Sequence, residues 1–167
     1  MGASAEGGPP CIFCEIVAGR AGAHVVYEDA RTLAFLDLFP VTRGHVLVVP
    51  KHHVDRLLDL PESEYADFLR AVTAVCRKVE GLSEHYNVSL NQGALAGQIV
   101  FHLHFHVIPR YGEGTPQWGR PRAKLVDPEA QQVLDQLGSI GGRSREPAPA
   151  PRPRAARAGE GRLGVPE

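Results

Sequence analysis

Val100-Phe-His-Leu-His-Phe-His-Val-Ile-Pro109 sets histidines at 102, 104 and 106 between Leu103, Phe105 and Val107. The strict period of two, with β-branched and aromatic residues filling the gaps, predicts a strand with one apolar and one functional face. Neighbouring imidazoles on such a face stand about 6.5 Å apart at the backbone, and the outer two about 13 Å apart. A single metal bound by all three does not fit that spacing, so the row divides its labour. An isolated His-x-His is as often an ordinary polar position on a sheet. Three in register, directly after the loop Asn91-Gln-Gly-Ala-Leu-Ala-Gly-Gln98, point instead to a site.

Outward from that row, the chain reads as sheet and helix in turn. Val25–Glu28 and Thr32–Asp37 are predicted strands about the turn Asp29-Ala-Arg31, and His45–Pro50 is a nearly continuous apolar run suited to a central strand. Tyr65, Phe68, Leu69, Val72, Val75, Cys76 and Val79 recur at three- and four-residue spacing, which predicts one long helix from about Pro61 to Glu80. Asn87–Asn91 adds a strand, a short amphipathic helix follows Cys11, and Pro128–Leu137 suits a small helix. The expectation is an α+β domain built on a five-stranded antiparallel meander sheet with one long helix and a short N-terminal one.

Composition bounds the rest. The 167 residues suffice for one domain, and 43% apolar content is ordinary for a globular protein. The net charge of −1 suggests neither a nucleic-acid nor a membrane surface. Residues 1–9 form a small, Gly/Pro-rich lead without the charged start and apolar run of a signal peptide, and Glu6 stands where a myristoylation signal needs Ser or Thr. The expected location is cytoplasmic, where thiols stay reduced. Residues 141–167 are rich in Pro, Ala and Arg and lack the apolar residues to offset ordering entropy, so disorder is expected there. Of three cysteines, Cys76 falls on the helical stripe and reads as core, while Cys11 and Cys14 form a C-x-x-C open to either a thiol pair or a metal site.

Gly97-Gln-Ile-Val-Phe-His-Leu-His-Phe-His-Val-Ile-Pro-Arg110 resembles the signature of the histidine triad (HIT) family, His-φ-His-φ-His-φ-φ with φ apolar. The resemblance continues upstream through Asn91-Gln-Gly, Gly44-His-Val-Leu-Val-Val-Pro-Lys, Ala34-Phe-Leu-Asp37, Tyr27-Glu-Asp and Cys11-Ile-Phe-Cys, covers roughly residues 11–120, and implies a HIT domain expected over residues 10–140. It implies a nucleotide hydrolase acting at the α-phosphate of a nucleoside phosphoramidate or dinucleoside polyphosphate. His104 would attack phosphorus to give a nucleotidyl-histidine, which water would hydrolyse to a nucleoside monophosphate.

By the same resemblance His106 would contact phosphoryl oxygens and His45 would support the triad from behind. Asn91 and Gln98 would hold phosphate oxygens or the leaving group, with Gln98 counted in the catalytic set. Asp37 would accept the ribose hydroxyls, and Ile12, Phe13, Ile16, Phe35 and Leu38 would line a purine pocket, although core packing explains those five equally well. Ile99 departs from the hydroxyl residue of many relatives and leaves only its backbone N–H for phosphate. Histidine rather than Gln at 106 favours hydrolysis over nucleotidyl transfer. Some bacterial-type members pair the C-x-x-C with two histidines in a structural zinc site, here Cys11, Cys14, His53 and His102. His52 is then expected at the surface, and His24 and His85 have no role. A homodimer is implied, with Trp118 a candidate to reach the partner's site. Two rivals stay open: a nucleotide-binding scaffold with little turnover, and a zinc protein whose histidines serve only the metal.

Overall fold

The structure is a computed structural model and describes residues 10–112, 122–138 and 143–145. Its elements run α1 (Ile12–Val17), β1 (Ala23–Glu28), β2 (Thr32–Leu36), β3 (Val46–Pro50), α2 (Tyr65–Val79), β4 (Tyr86–Leu90), β5 (Phe105–Pro109), α3 (Asp127–Gln136) and β6 (Arg143–Arg145). Single 3-10 turns occupy Leu57–Asp59, Glu62–Glu64 and Ala94–Ala96. This is the expected α+β class.

β2 and β3 form the centre and pair from Thr32 opposite Pro50 to Leu36 opposite Val46. Both are buried along their whole length, because each face of the sheet is covered. Side-chain alternation sorts their residues into two cores. Ala34, Leu36, Val46 and Val48 meet Phe68, Val72, Val75 and Val79 of α2, while Leu33, Phe35, Leu47 and Val49 meet Phe13 and Ile16 of α1. A fully buried side chain of this kind contributes about 1.5–3 kcal/mol relative to exposure, which explains the unbroken apolar runs. Cys76 lies in the α2 core as expected, but Tyr65 and Leu69 flank the stripe in the first turns of α2 and stay exposed.

The sheet departs from a simple meander. Its order is β4-β5-β3-β2-β1-β6. The α2 connection, about 22 Å long for its fifteen residues, carries the chain across the sheet, so that β4 lands at the edge and β5 returns between β4 and β3. At the other edge Arg143–Arg145 pair with Ala23–Val25, within the segment expected to be disordered. Edge pairing uses backbone groups, so an arginine-rich sequence can supply it without an apolar signal. The rest of that segment, the lead 1–9 and Trp118 lie outside the described residues.

The histidine strand is also shorter than its periodicity predicts. β5 starts at Phe105, with Val48 opposite Phe105, Leu47 opposite His106 and Val46 opposite Val107. Further along β3 comes Pro50, which has no N–H to give a ladder. Instead Leu103 N–H donates to the Val54 carbonyl at 2.6 Å, which turns residues 102–104 toward the segment after β3.

Candidate functional site

His45 and His106 share the edge where β3 meets β5. Beyond the last β2–β3 pair, Asp37 N–H donates to the His45 carbonyl at 2.9 Å, which sets those two residues side by side. The His45 ring is buried, with Nδ1 taking the Val41 N–H at 3.1 Å and Nε2 lying 2.9 Å from His106 Nδ1. A backbone N–H can only donate, so His45 Nδ1 is the acceptor and its proton sits on Nε2. That proton is donated to His106 Nδ1, and His106 must then carry its own proton on Nε2. Asp37 Oδ2 also lies 3.3 Å from His45 Nδ1. With that nitrogen's single in-plane position filled by Val41, the contact is electrostatic and not a second hydrogen bond.

His104 takes the opposite tautomer. Its Nδ1 lies 2.6 Å from the His102 carbonyl, to which it can only donate, so Nε2 holds a lone pair. The two rings meet edge to face with centroids 4.8 Å apart. Phe13 of α1 stands against His104 at 5.2 Å and against Phe35 at 5.5 Å, excluding water from one side of the row. Burial lowers the pKa of His104, and of His106 from 6.5 to about 3 with repulsion from His104 and Arg122 added. Burial also holds His45 well below its ordinary value. The site therefore offers neutral imidazoles at neutral pH: a nucleophilic nitrogen on one ring and an N–H donor on its neighbour.

A second cluster lies on the α1 side. Cys11 Sγ is 3.5 Å from His102 Nδ1, and Cys14 Sγ is 3.6 Å from that atom and 3.3 Å from His53 Nδ1. In a tetrahedral zinc site, ligand bonds of about 2.3 Å to sulfur and about 2.0 Å to nitrogen put S and N about 3.5 Å apart. The four donors of this chain fit that geometry, all lying within 4.8 Å of one another. Both rings are oriented for it, since His102 Nε2 donates to the Pro50 carbonyl at 2.9 Å and His53 Nε2 lies 2.8 Å from Asp55 Oδ1. Each leaves Nδ1 bare toward the sulfurs, the usual second contact of a metal-binding histidine. Burial and the neighbouring Cys11 push the Cys14 thiol up to about 11, so holding that sulfur as a thiolate needs a cation. Asp37, His45 and His106 also converge, but His45 has both nitrogens engaged and none to offer a metal.

The glycine loop differs from expectation. Gln98 is buried, with Oε1 accepting the Gly93 N–H at 2.8 Å and Nε2 donating to the Asp55 and Val100 carbonyls at 3.1 and 3.2 Å. Its amide braces the loop through these three bonds, whereas the expectation was a contact to phosphate oxygens or the leaving group. Gly97 adopts φ +87°, a left-handed value open to glycine, and brings its backbone to the Asn91 amide, 3.7 Å from where a Cβ would stand. Ile99 is 82% exposed. Of the five pocket candidates, Phe13, Ile16 and Phe35 are packed into the α1-side core, whereas Ile12 and Leu38 remain about half exposed.

The sequence profile of the HIT domain matches residues 18–113, more than half of the chain. The chain belongs to the HIT family. An uncharacterized HIT-like protein of Methanocaldococcus jannaschii is 47% identical over 106 residues, 62% of this chain and 82% of that protein. A Schizosaccharomyces pombe protein named adenosine 5'-monophosphoramidase is 43% identical over 133 residues, 77% of this chain and 96% of that one. Among solved structures, a Zn-bound histidine triad family protein from Mycobacterium smegmatis aligns with TM-score 0.66 and 35% identity over 76% of this chain and 92% of its own.

Within this HIT domain, sequence reading passed over two contributors. Val41 fixes the tautomers through a backbone N–H, and no side-chain pattern signals that. Arg122 reaches Asp37 from beyond the signature, its Nη1 3.7 Å from Asp37 Oδ2. One arginine among the basic residues 120, 122 and 124 of a turn-rich stretch carries no signal until the fold closes. His52 lies exposed beside Glu64, as expected. Among the described residues, no helix is long and apolar enough to cross a membrane.

Proposed function

We propose that this HIT protein hydrolyses nucleoside phosphoramidates or dinucleoside polyphosphates at the α-phosphate through a nucleotidyl-histidine. The observation that carries the reading is the tautomer pair: His104 Nε2 bare, because Nδ1–H is held by the His102 carbonyl, beside His106 with Nε2–H held by the His45 contact. His104 Nε2 forms a bond to phosphorus as the P–N or P–O bond to the leaving group breaks. Water then attacks the same phosphorus, frees His104 and releases a nucleoside monophosphate. His106 N–H donates to a phosphoryl oxygen, where charge grows in the transition state and a preset donor counts most. The loop near Asn91, with the Ile99 N–H, borders the phosphate; Asp37 takes the ribose hydroxyls, and Ile12, Leu38 and the Phe13 edge border a purine base. The name of the 43%-identical fungal relative supports a phosphoramidate as substrate.

Zinc belongs to the same reading, held by Cys11, Cys14, His53 and His102. When bound it supplies a closed structural crosslink and leaves His104 to the chemistry. A homodimer is supported by apolar surface that one chain leaves open, at Leu58, Tyr65 and Leu69 near α2 and at Val88 on the edge strand β4. Residence in the cytoplasm is supported by cysteines that are all free.

Incubation with adenosine phosphoramidate and with a diadenosine polyphosphate tests the proposal. AMP should appear with the native chain and vanish in His104→Ala, whose zinc content should be unchanged. Equal turnover by both proteins removes His104 from the mechanism. Tight AMP binding without product from either substrate favours a scaffold, and loss of zinc in His104→Ala favours a metal-only role for the histidines.

A further inference from the structure

Arg122 has no part in the mechanism above, yet the fold brings it to the site. The segment that carries it is tied to the end of β2, with Leu125 N–H donating to the Leu38 carbonyl at 2.8 Å and the Leu125 side chain buried. Its guanidinium faces inward, with Nη1 shielded from solvent and only 23% of the side chain exposed.

The group it faces needs a cation. Asp37 is only 14% exposed, and burial raises its carboxyl pKa, opposed by the Phe39 N–H and by the Arg122 charge. Its other close neighbour, His45, is held neutral by burial, with Nδ1 already taken by Val41, and so forms no ion pair with it. Among the described residues, Arg122 is therefore the charged partner of this carboxylate. The separation matters as much as the charge. At 3.7 Å the pair is too long for a hydrogen bond, so Arg122 stabilises the anion without occupying its lone pairs. Oδ1 accepts the Phe39 N–H at 2.9 Å, and Oδ2 faces His45 and Arg122 at 3.3 and 3.7 Å, so lone pairs remain on the carboxylate for further donors.

We infer that Arg122 is a positioning residue for sugar specificity, holding the Asp37 carboxylate as an oriented anion that accepts the ribose hydroxyls of the nucleotide. The inference rests on the proposed ribose contact of Asp37 and adds the residue that makes this contact strong. A hydroxyl donating to a charged acceptor gains more than one donating to a neutral acid. Removal of the counter-charge should thus weaken recognition of the sugar and leave the phosphorus chemistry in place.

The test uses the full-length chain as purified and two substrates, adenosine phosphoramidate and its 2',3'-dideoxy counterpart. In the native protein kcat/KM should favour the ribonucleotide by about tenfold to a hundredfold, the value of a hydrogen bond to a charged group. That preference should collapse toward unity in Asp37→Asn and in Arg122→Gln, mainly through KM for the ribonucleotide, and Arg122→Lys should restore part of it. A merely structural role would lower activity on both substrates alike and leave their ratio unchanged. A native ratio in Arg122→Gln, with the ratio lost in Asp37→Asn, overturns the inference and leaves the ribose contact standing. No preference in the native chain, or an unchanged one in Asp37→Asn, overturns the ribose contact and the inference with it. Should Arg122→Gln fold poorly, Arg122→Met judged by the same ratio replaces it, with the same outcomes.

Discussion

Replacing His45 with Gln should make stability depend less steeply on acid. A glutamine amide can accept the Val41 N–H and donate to His106 Nδ1, so both contacts of the buried ring survive, but it cannot titrate. Burial holds the native His45 pKa well below 6.5. Between its unfolded and folded values the unfolded chain binds a proton that the folded chain refuses. The stability tied to a neutral His45 is thus complete above pH 6.5 and is lost as pH falls toward the folded value. If the folded ring stays neutral to pH 5, the unfolded state gains about 2 kcal/mol between pH 7 and pH 5 from this one group. The stability difference between native and His45→Gln should therefore shift by about 2 kcal/mol in favour of the variant over that interval. Urea denaturation of both proteins at pH 7 and pH 5 measures it, and acid effects common to both, including those at the cysteine cluster, cancel in the comparison. A difference constant to within about 0.5 kcal/mol would show that His45 titrates normally in the fold, and the tautomer chain through His106 would lose its basis.

Other perturbations probe other parts of the site. Cys14→Ser should abolish stoichiometric zinc. If free zinc stands about a thousandfold above its Kd, the lost binding costs about 4 kcal/mol, or about 8–16 °C in Tm for a chain of this size; metal analysis and calorimetry with and without chelator check it, and an unchanged Tm on chelation would argue against a structural ion. Phe13→Ala removes the ring packed on His104 and Phe35 and should destabilise by about 3–5 kcal/mol, read by chemical denaturation, with a cost under about 1 kcal/mol showing that α1 is not part of the core. Gln98→Leu deletes the bonds to Gly93, Asp55 and Val100 and should cost about 2–3 kcal/mol. Hydrogen exchange should then accelerate across 93–98, and native-like protection there would mean that the loop is held by its backbone alone.

Periodicity made most of the architecture legible before any coordinates. The apolar run of β3, the stripe Phe68-Val72-Val75-Val79 and the short helix at Cys11 were readable because each records which face of a local element is covered. The convergence of Cys11, Cys14, His53 and His102 was readable once a family resemblance paired C-x-x-C with those two histidines. Strand order was harder: the path of α2 across the sheet decides it, and no local pattern encodes that path. Tyr65 and Leu69 fit the helical stripe yet stay exposed, since helix period does not say how far the sheet beneath extends.

Side-chain roles divided along a similar line. The presence of three imidazoles in a row is a property of residue order. Which nitrogen of each is bare depends on what the other nitrogen meets: a Val41 N–H four residues before His45, the His102 carbonyl beside His104, the Pro50 carbonyl across the turn. Gln98 carried the same side chain in the reading and in the fold, but its amide turned inward because three backbone groups waited there. Arg122 gained meaning only when the chain returned to Asp37. Residue type and spacing are written along the chain, whereas proton position and counter-charge arise from contacts between segments distant in it, and such contacts exist only after folding.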